Sequence, residues 1–133
     1  MKFKIGQKAS IEKSFSINEV RDFAGITGDH NPIHLDEEFA KRTVFGKPIV
    51  HGILCSGLIS CVIGEQLPGN GSIYLGQELK FVAPAFHGER LIAEVEILEV
   101  IIEKRHIILK TVIRKSDGTI VIEGKARVKV QTL

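Results

Sequence analysis

From residue 72 onward apolar residues recur at every second position, whereas from residue 16 to about 64 they recur three and four apart or run continuously. The two periods mark strands and helices respectively. Residues 72–82, 88–102 and 106–114 read as three strand-forming runs, and Ser116-Asp117-Gly118 turns the third into a fourth over residues 119–130. In the last run Ile120, Ile122, Gly124, Ala126, Val128 and Val130 share one face, while Val121, Glu123, Lys125, Arg127 and Lys129 share the other. One side of that strand is expected to be wet. Residues 8–16 add a strand at the beginning.

Between these strands the helical signals are local and specific. Ser16 is followed three residues later by Glu19, a capping-box pattern, and Val20, Phe23 and Ala24 follow at helical spacing. Residues 36–41 supply one or two further turns before Gly46-Lys47-Pro48 breaks the chain. Over residues 49–63 the only titratable groups are His51 and the thiols of Cys55 and Cys61, with Gly52, Ser56, Gly57 and Ser60 interleaved among apolar side chains. That composition predicts a buried helix. A membrane span needs about 20 apolar residues and tolerates few small polar groups, so this shorter run does not suit one. The order of elements predicts an α+β fold, one domain over residues 1–133, with an antiparallel sheet wrapped around a central buried helix.

Composition narrows the classes. A chain of 133 residues with 44% apolar content can bury a core without disulfides. Its net charge of +2 comes from 18 basic and 16 acidic residues spread along the chain, without the basic run or aromatic interleaving of a nucleic-acid binder. Cys55 and Cys61 are spaced neither as a metal knuckle nor as an evident bridge, and read as small core residues in a reducing compartment. Met1-Lys2-Phe3-Lys4 starts no apolar leader, so the expected location is the cytoplasm.

The candidate chemistry lies in Gly28-Asp29-His30-Asn31-Pro32-Ile33-His34, which sets a carboxylate and an imidazole five residues apart around an Asn-Pro turn. A helix or a strand would point Asp29 and His34 apart, whereas a Pro-fixed turn can bring both to one point. Such a pair suits proton transfer to and from a small substrate or a held water. The same residues also make an ordinary hydrogen-bonded turn.

Three separated stretches decide between those readings. Residues 23–36, then Pro48-Ile49-Val50-His51-Gly52, then residues 71–77 with Phe81 and Pro84, together resemble the R-specific enoyl-CoA hydratases, or MaoC-like dehydratases, of the hot-dog fold. The resemblance spans most of the chain. It implies that Asp29 and His34 hold a water and add it across the double bond of an enoyl thioester, with no metal or redox cofactor. It further implies that Gly52 offers its backbone N–H to the thioester oxygen, where a helix dipole favours the enolate charge. The alternative for Gly52 is that it serves helix packing. Asn31 is a supporting residue or a simple turn former, and Ser60 either lines the site or bonds to its own helix. His30 reads as loop surface, His51 as structural or pocket-lining, and Tyr74 as core, dimer sheet or acyl tunnel.

The implied partners are an acyl-CoA thioester and a second copy of the chain as a homodimer, with neither nucleic acid nor membrane. Lys41, Arg42, Lys47, Lys80 and Arg90 are all candidates for contact with CoA, and Phe39, Leu54, Leu58 and Leu75 for an acyl tunnel. The alternative functions are a hot-dog acyl-CoA thioesterase, a dehydratase acting on acyl carrier protein, or a non-catalytic acyl-thioester binding module.

Overall fold

Ser16 accepts a hydrogen bond from Glu19 N–H while the Glu19 carboxylate accepts one from Ser16 N–H, so both halves of the capping box form. In the computed structural model, which describes residues 2–133, this cap starts α1 (Ile17–Thr27) directly after β1 (Lys8–Lys13). The first strand is therefore shorter than its polar pattern suggests, because Ser16 is used as a cap and Phe15 turns into the core. Gly28 ends α1 at φ 82°, a left-handed conformation that favours glycine. Then come α2 (Pro32–Leu35) and α3 (Glu37–Lys41), capped by the side chains of Asn31 and Asp36.

The long helix α4 runs from Gly52 to Glu65. Residues 49 and 50 do not join it: Ile49 bridges to Phe86, and Val50 N–H bonds to the Ala85 carbonyl. These contacts tie the entrance of the helix to residues 85 and 86. Strands β2 (Ile73–Phe81), β3 (Leu91–Ile101), β4 (His106–Lys115) and β5 (Ile120–Lys129) follow, and all pairings are antiparallel.

The sheet order is β1-β3-β4-β5-β2. Only β3, β4 and β5 are neighbours in chain order; β2 crosses to the far edge beside β5, and β1 closes the other edge beside β3. The sheet wraps one face of α4, the hot-dog arrangement. Cys55, Leu58, Ile59, Val62 and Ile63 of the helix meet Leu91, Ala93, Val95 and Ile97 of β3 in one core. Burying each large apolar side chain contributes about 1.5–3 kcal/mol of transfer free energy.

Two expectations need correction. The helix is buried on one side only, since Ile53, Gly57, Ser60 and Cys61 stand exposed on the other. A single sheet covers only part of a cylinder, whatever the composition of the rest. Cys61 is thus a surface thiol, while Cys55 is a core residue whose thiol burial pushes up to about 12. In β5 the predicted alternation holds for Ile122, Ala126 and Val128, but Val121 on the opposite face is buried as well. No helix of the described residues is long and apolar enough to cross a membrane.

Candidate active site

Asp29 lies in the short link between α1 and α2, and His34 in the single turn of α2. Pro32 fits the first helical position because its missing N–H would have no partner there, and Asn31 Oδ1 accepts the Ile33 N–H at 3.1 Å. The predicted turn is therefore a capped helical turn. Asp29 Oδ1 accepts the Asn31 N–H at 3.2 Å, which fixes the carboxylate against the same turn. Neither residue of the pair follows regular helix periodicity from the other, because the link between them is irregular and tightly turned.

Into this turn comes a third residue. His51, immediately before α4, is buried with only 2% exposure. A nitrogen of each histidine and a carboxylate oxygen of Asp29 lie within 4.8 Å of one another. The His34 and His51 rings stack with centroids 3.9 Å apart and planes at 27°, and Phe23 meets His51 edge-on at 4.8 Å. Nearly parallel ring planes are a poor match for the tetrahedral convergence of a zinc site.

Hydrogen bonding sets the tautomers. His34 Nδ1 is 2.8 Å from the Ile49 carbonyl, which can only accept, so Nδ1 carries the proton and Nε2 is left with a lone pair. His51 Nε2 is 3.0 Å from the Asp29 carbonyl and donates to it by the same reasoning. Burial pulls the half-buried His34 below the ordinary histidine range; the Ile49 contact raises it, His51 lowers it and the Asp29 charge raises it, with burial prevailing. His34 is neutral at neutral pH, with Nε2 free to take a proton.

Gly52 opens α4, and no side chain caps the N–H groups of that end. They stay available to an acceptor, with the helix dipole behind them. A Cβ on Gly52 would lie 2.6 Å from Cδ1 and Cε1 of Phe81, so the immediate reason for glycine is the Phe81 ring. Gly52, Ile49, Cys55, Phe45, Phe81 and Val121 line an apolar cavity of about 240 Å³. Phe39, Leu54, Leu58 and Leu75, the expected tunnel residues, do not line it.

The remaining candidates separate. Ser60 is exposed on the outer face of α4 and is not the partner of the Asp29 carboxylate. His30 is exposed, as expected. Tyr74 donates to Gln77 Oε1, and Gln77 Nε2 donates to the buried Thr111 hydroxyl at 2.9 Å, an arrangement within the sheet that its sequence neighbours did not signal. Of the basic residues, Lys41 and Arg90 pair with Glu38 and Glu12, and Lys47 sits 4.4 Å from the Phe86 ring centre. His51, which the sequence leaves as structural or pocket-lining, is brought by the fold into the Asp29 and His34 cluster; its signal in the sequence was its place in the Pro48–Gly52 stretch.

The family model for the MaoC like domain matches residues 2–119. The chain is 46% identical over 126 residues to the (R)-specific enoyl-CoA hydratase of Aeromonas caviae, covering 95% of this chain and 94% of that protein. It is 44% identical over 126 residues to the 3-hydroxybutyryl-CoA dehydratase of Methylorubrum extorquens, covering 95% of this chain and 80% of that one. The solved structure of the (R)-hydratase from A. caviae involved in PHA biosynthesis superposes with a TM-score of 0.93 at 45% identity, covering 96% of this chain and 97% of the other.

Proposed function

The chain belongs to the family of MaoC-like domains, and from that membership we propose that it is a hydro-lyase, acting as one domain over residues 1–133, that reversibly adds water to a trans-2-enoyl-CoA to give the (R)-3-hydroxyacyl-CoA. One observation carries the reading: the Asp29 carboxylate meets a neutral His34, whose Nε2 alone is free, beside the uncapped start of α4.

A water held between Asp29 and His34 attacks C3 of the enoyl thioester. Its proton passes to His34 Nε2 as the oxygen–carbon bond forms, and the π electrons move toward the thioester oxygen as an enolate. The Gly52 N–H and the start of α4 stabilise that negative charge. The imidazolium, itself stabilised by the Asp29 carboxylate, then returns its proton to C2 on the same face, which gives syn addition. Water is the sole co-reactant, and no cofactor enters the balance. The cavity beside Gly52 receives the acyl chain, Asn31 keeps the Asp29 turn in shape, and Ser60, on the exposed outer face of α4, supports the site from the side that faces the second subunit of the dimer. The (R) configuration is carried over from the similar hydratase.

The working unit is a homodimer formed through β2. This nine-residue strand ends the sheet and exposes Ile73, Tyr74, Leu75 and Phe81, while α4 exposes Ile53 next to it. An unpaired edge of that length is a template for a second strand. The enzyme works in the cytoplasm, where the exposed Cys61 stays reduced.

The test follows the conjugated enoyl-thioester absorbance as crotonyl-CoA meets the purified protein and its Asp29→Asn variant, with product handedness read by an R-specific dehydrogenase. Loss of absorbance with R product is expected, slowed by about 10²–10⁴-fold in the variant. Release of free CoA thiol without hydration would instead identify a thioesterase, and binding without turnover a sensor module.

A further inference from the structure

The residue before a helix normally turns its side chain back to cap the first N–H groups. His51 does not. It occupies that position at α4, makes no cap bond, and sends its ring the other way, into the Asp29 and His34 turn. Three elements therefore meet on one imidazole. Its Nε2–H holds the main-chain carbonyl of Asp29 at 3.0 Å, its face lies on His34 at 3.9 Å, and Phe23 of α1 closes its edge.

We propose that His51 is a positioning residue for the reaction, holding the Asp29 main chain with its N–H, while its ring packs on His34 and the start of α4 stays open for the thioester oxygen. The inference rests on the function proposed above. A purely structural role fits poorly, because His51 Nδ1 is buried without any hydrogen-bond partner. A phenyl ring would fill the same space and stack the same way without burying a lone pair. What phenylalanine lacks is the N–H toward Asp29. In stability, removing the orphaned Nδ1 lone pair offsets the lost hydrogen bond, so what the variant loses is the hold on the Asp29 main chain.

Two variants separate the donor from the ring. His51→Phe keeps the stack and drops the N–H, whereas His51→Gln carries an N–H at similar reach without the ring. A misplacement near 1 Å costs about 10²-fold, so kcat of His51→Phe should fall by about that factor with KM little changed and the melting midpoint no lower than wild type. His51→Gln should recover kcat to within about tenfold of wild type. Wild-type kcat in His51→Phe, or no better kcat in His51→Gln than in His51→Phe, would overturn the proposal. Should His51→Phe not fold, His51→Gln decides alone: more than about a tenfold loss of kcat counts against it.

An imidazole ¹⁵N spectrum of the wild-type protein supplies a readout independent of turnover. His51 should carry its proton on Nε2 and His34 on Nδ1; a His51 proton on Nδ1 rejects the clamp itself. If Asp29→Asn turns over normally while the spectrum is as expected, the function reading has failed and the clamp has not.

Discussion

His34 differs from a surface histidine in that its two nitrogens have separate duties. The Ile49 carbonyl keeps the proton on Nδ1, and burial keeps the ring neutral, so Nε2 is a base at neutral pH. The proposed hydration requires that neutral form. Since burial lowers the affinity of His34 for its second proton, kcat/KM should stay level as pH falls to the ordinary histidine value of about 6.5 and decline only below it. A pH–rate profile of the wild-type enzyme checks this; a limb centred above that value would remove His34 as the base. The sign is fixed by the direction of the shift, because the group loses its function on protonation and protonates later than a free imidazole.

At the scale of elements, two glycines are held by neighbours rather than by backbone freedom. A Cβ on Gly124 of β5 would lie 1.8 Å from the Glu78 carbonyl oxygen of β2, and a strand backbone cannot step aside. Gly124→Ala should therefore destabilise the protein by about 1–3 kcal/mol, seen as a lower thermal midpoint; an unchanged midpoint would show that the two strands pass less closely. Gly52 is confined by the Phe81 side chain, which a second substitution can remove. His51 has ψ 128°, the extended conformation favoured before proline, and proline suits a first helical position. Gly52→Pro with Phe81→Ala thus removes the N–H without breaking the helix. Its kcat should fall about 10²–10³-fold below that of Gly52→Ala with Phe81→Ala, the loss expected for one oxyanion donor. Equal rates in the two would assign the thioester oxygen to another donor.

For the whole molecule, the exposed half of α4 and the apolar edge of β2 lie on the same flank, left uncovered by a sheet that can wrap only one side of the helix. In the proposed homodimer a second copy covers both at once. Sedimentation of the wild-type protein should give about twice the 14.7 kDa chain mass, and Leu75→Arg, which places a charge on the exposed face of that edge, should give monomer. A wild-type monomer at assay concentration would exclude a site shared between subunits.

The sequence by itself determined most of the elements and the turn that carries Asp29 and His34. Capping at Ser16, strand alternation in β3 and β5, and the Asp29 to His34 spacing are local matters, governed by residues within a few positions of one another. It misjudged Cys61 and the outer face of α4, because apolar composition does not say which side of a helix the sheet will cover. Tertiary structure alone decided the rest. The crossing of β2 to the far edge, the Phe81 ring over Gly52, the Ile49 carbonyl that fixes the His34 tautomer and the reach of His51 to Asp29 all join residues 15 or more apart in the chain. Contacts of that kind follow from how layers pack, and no sequence period records them.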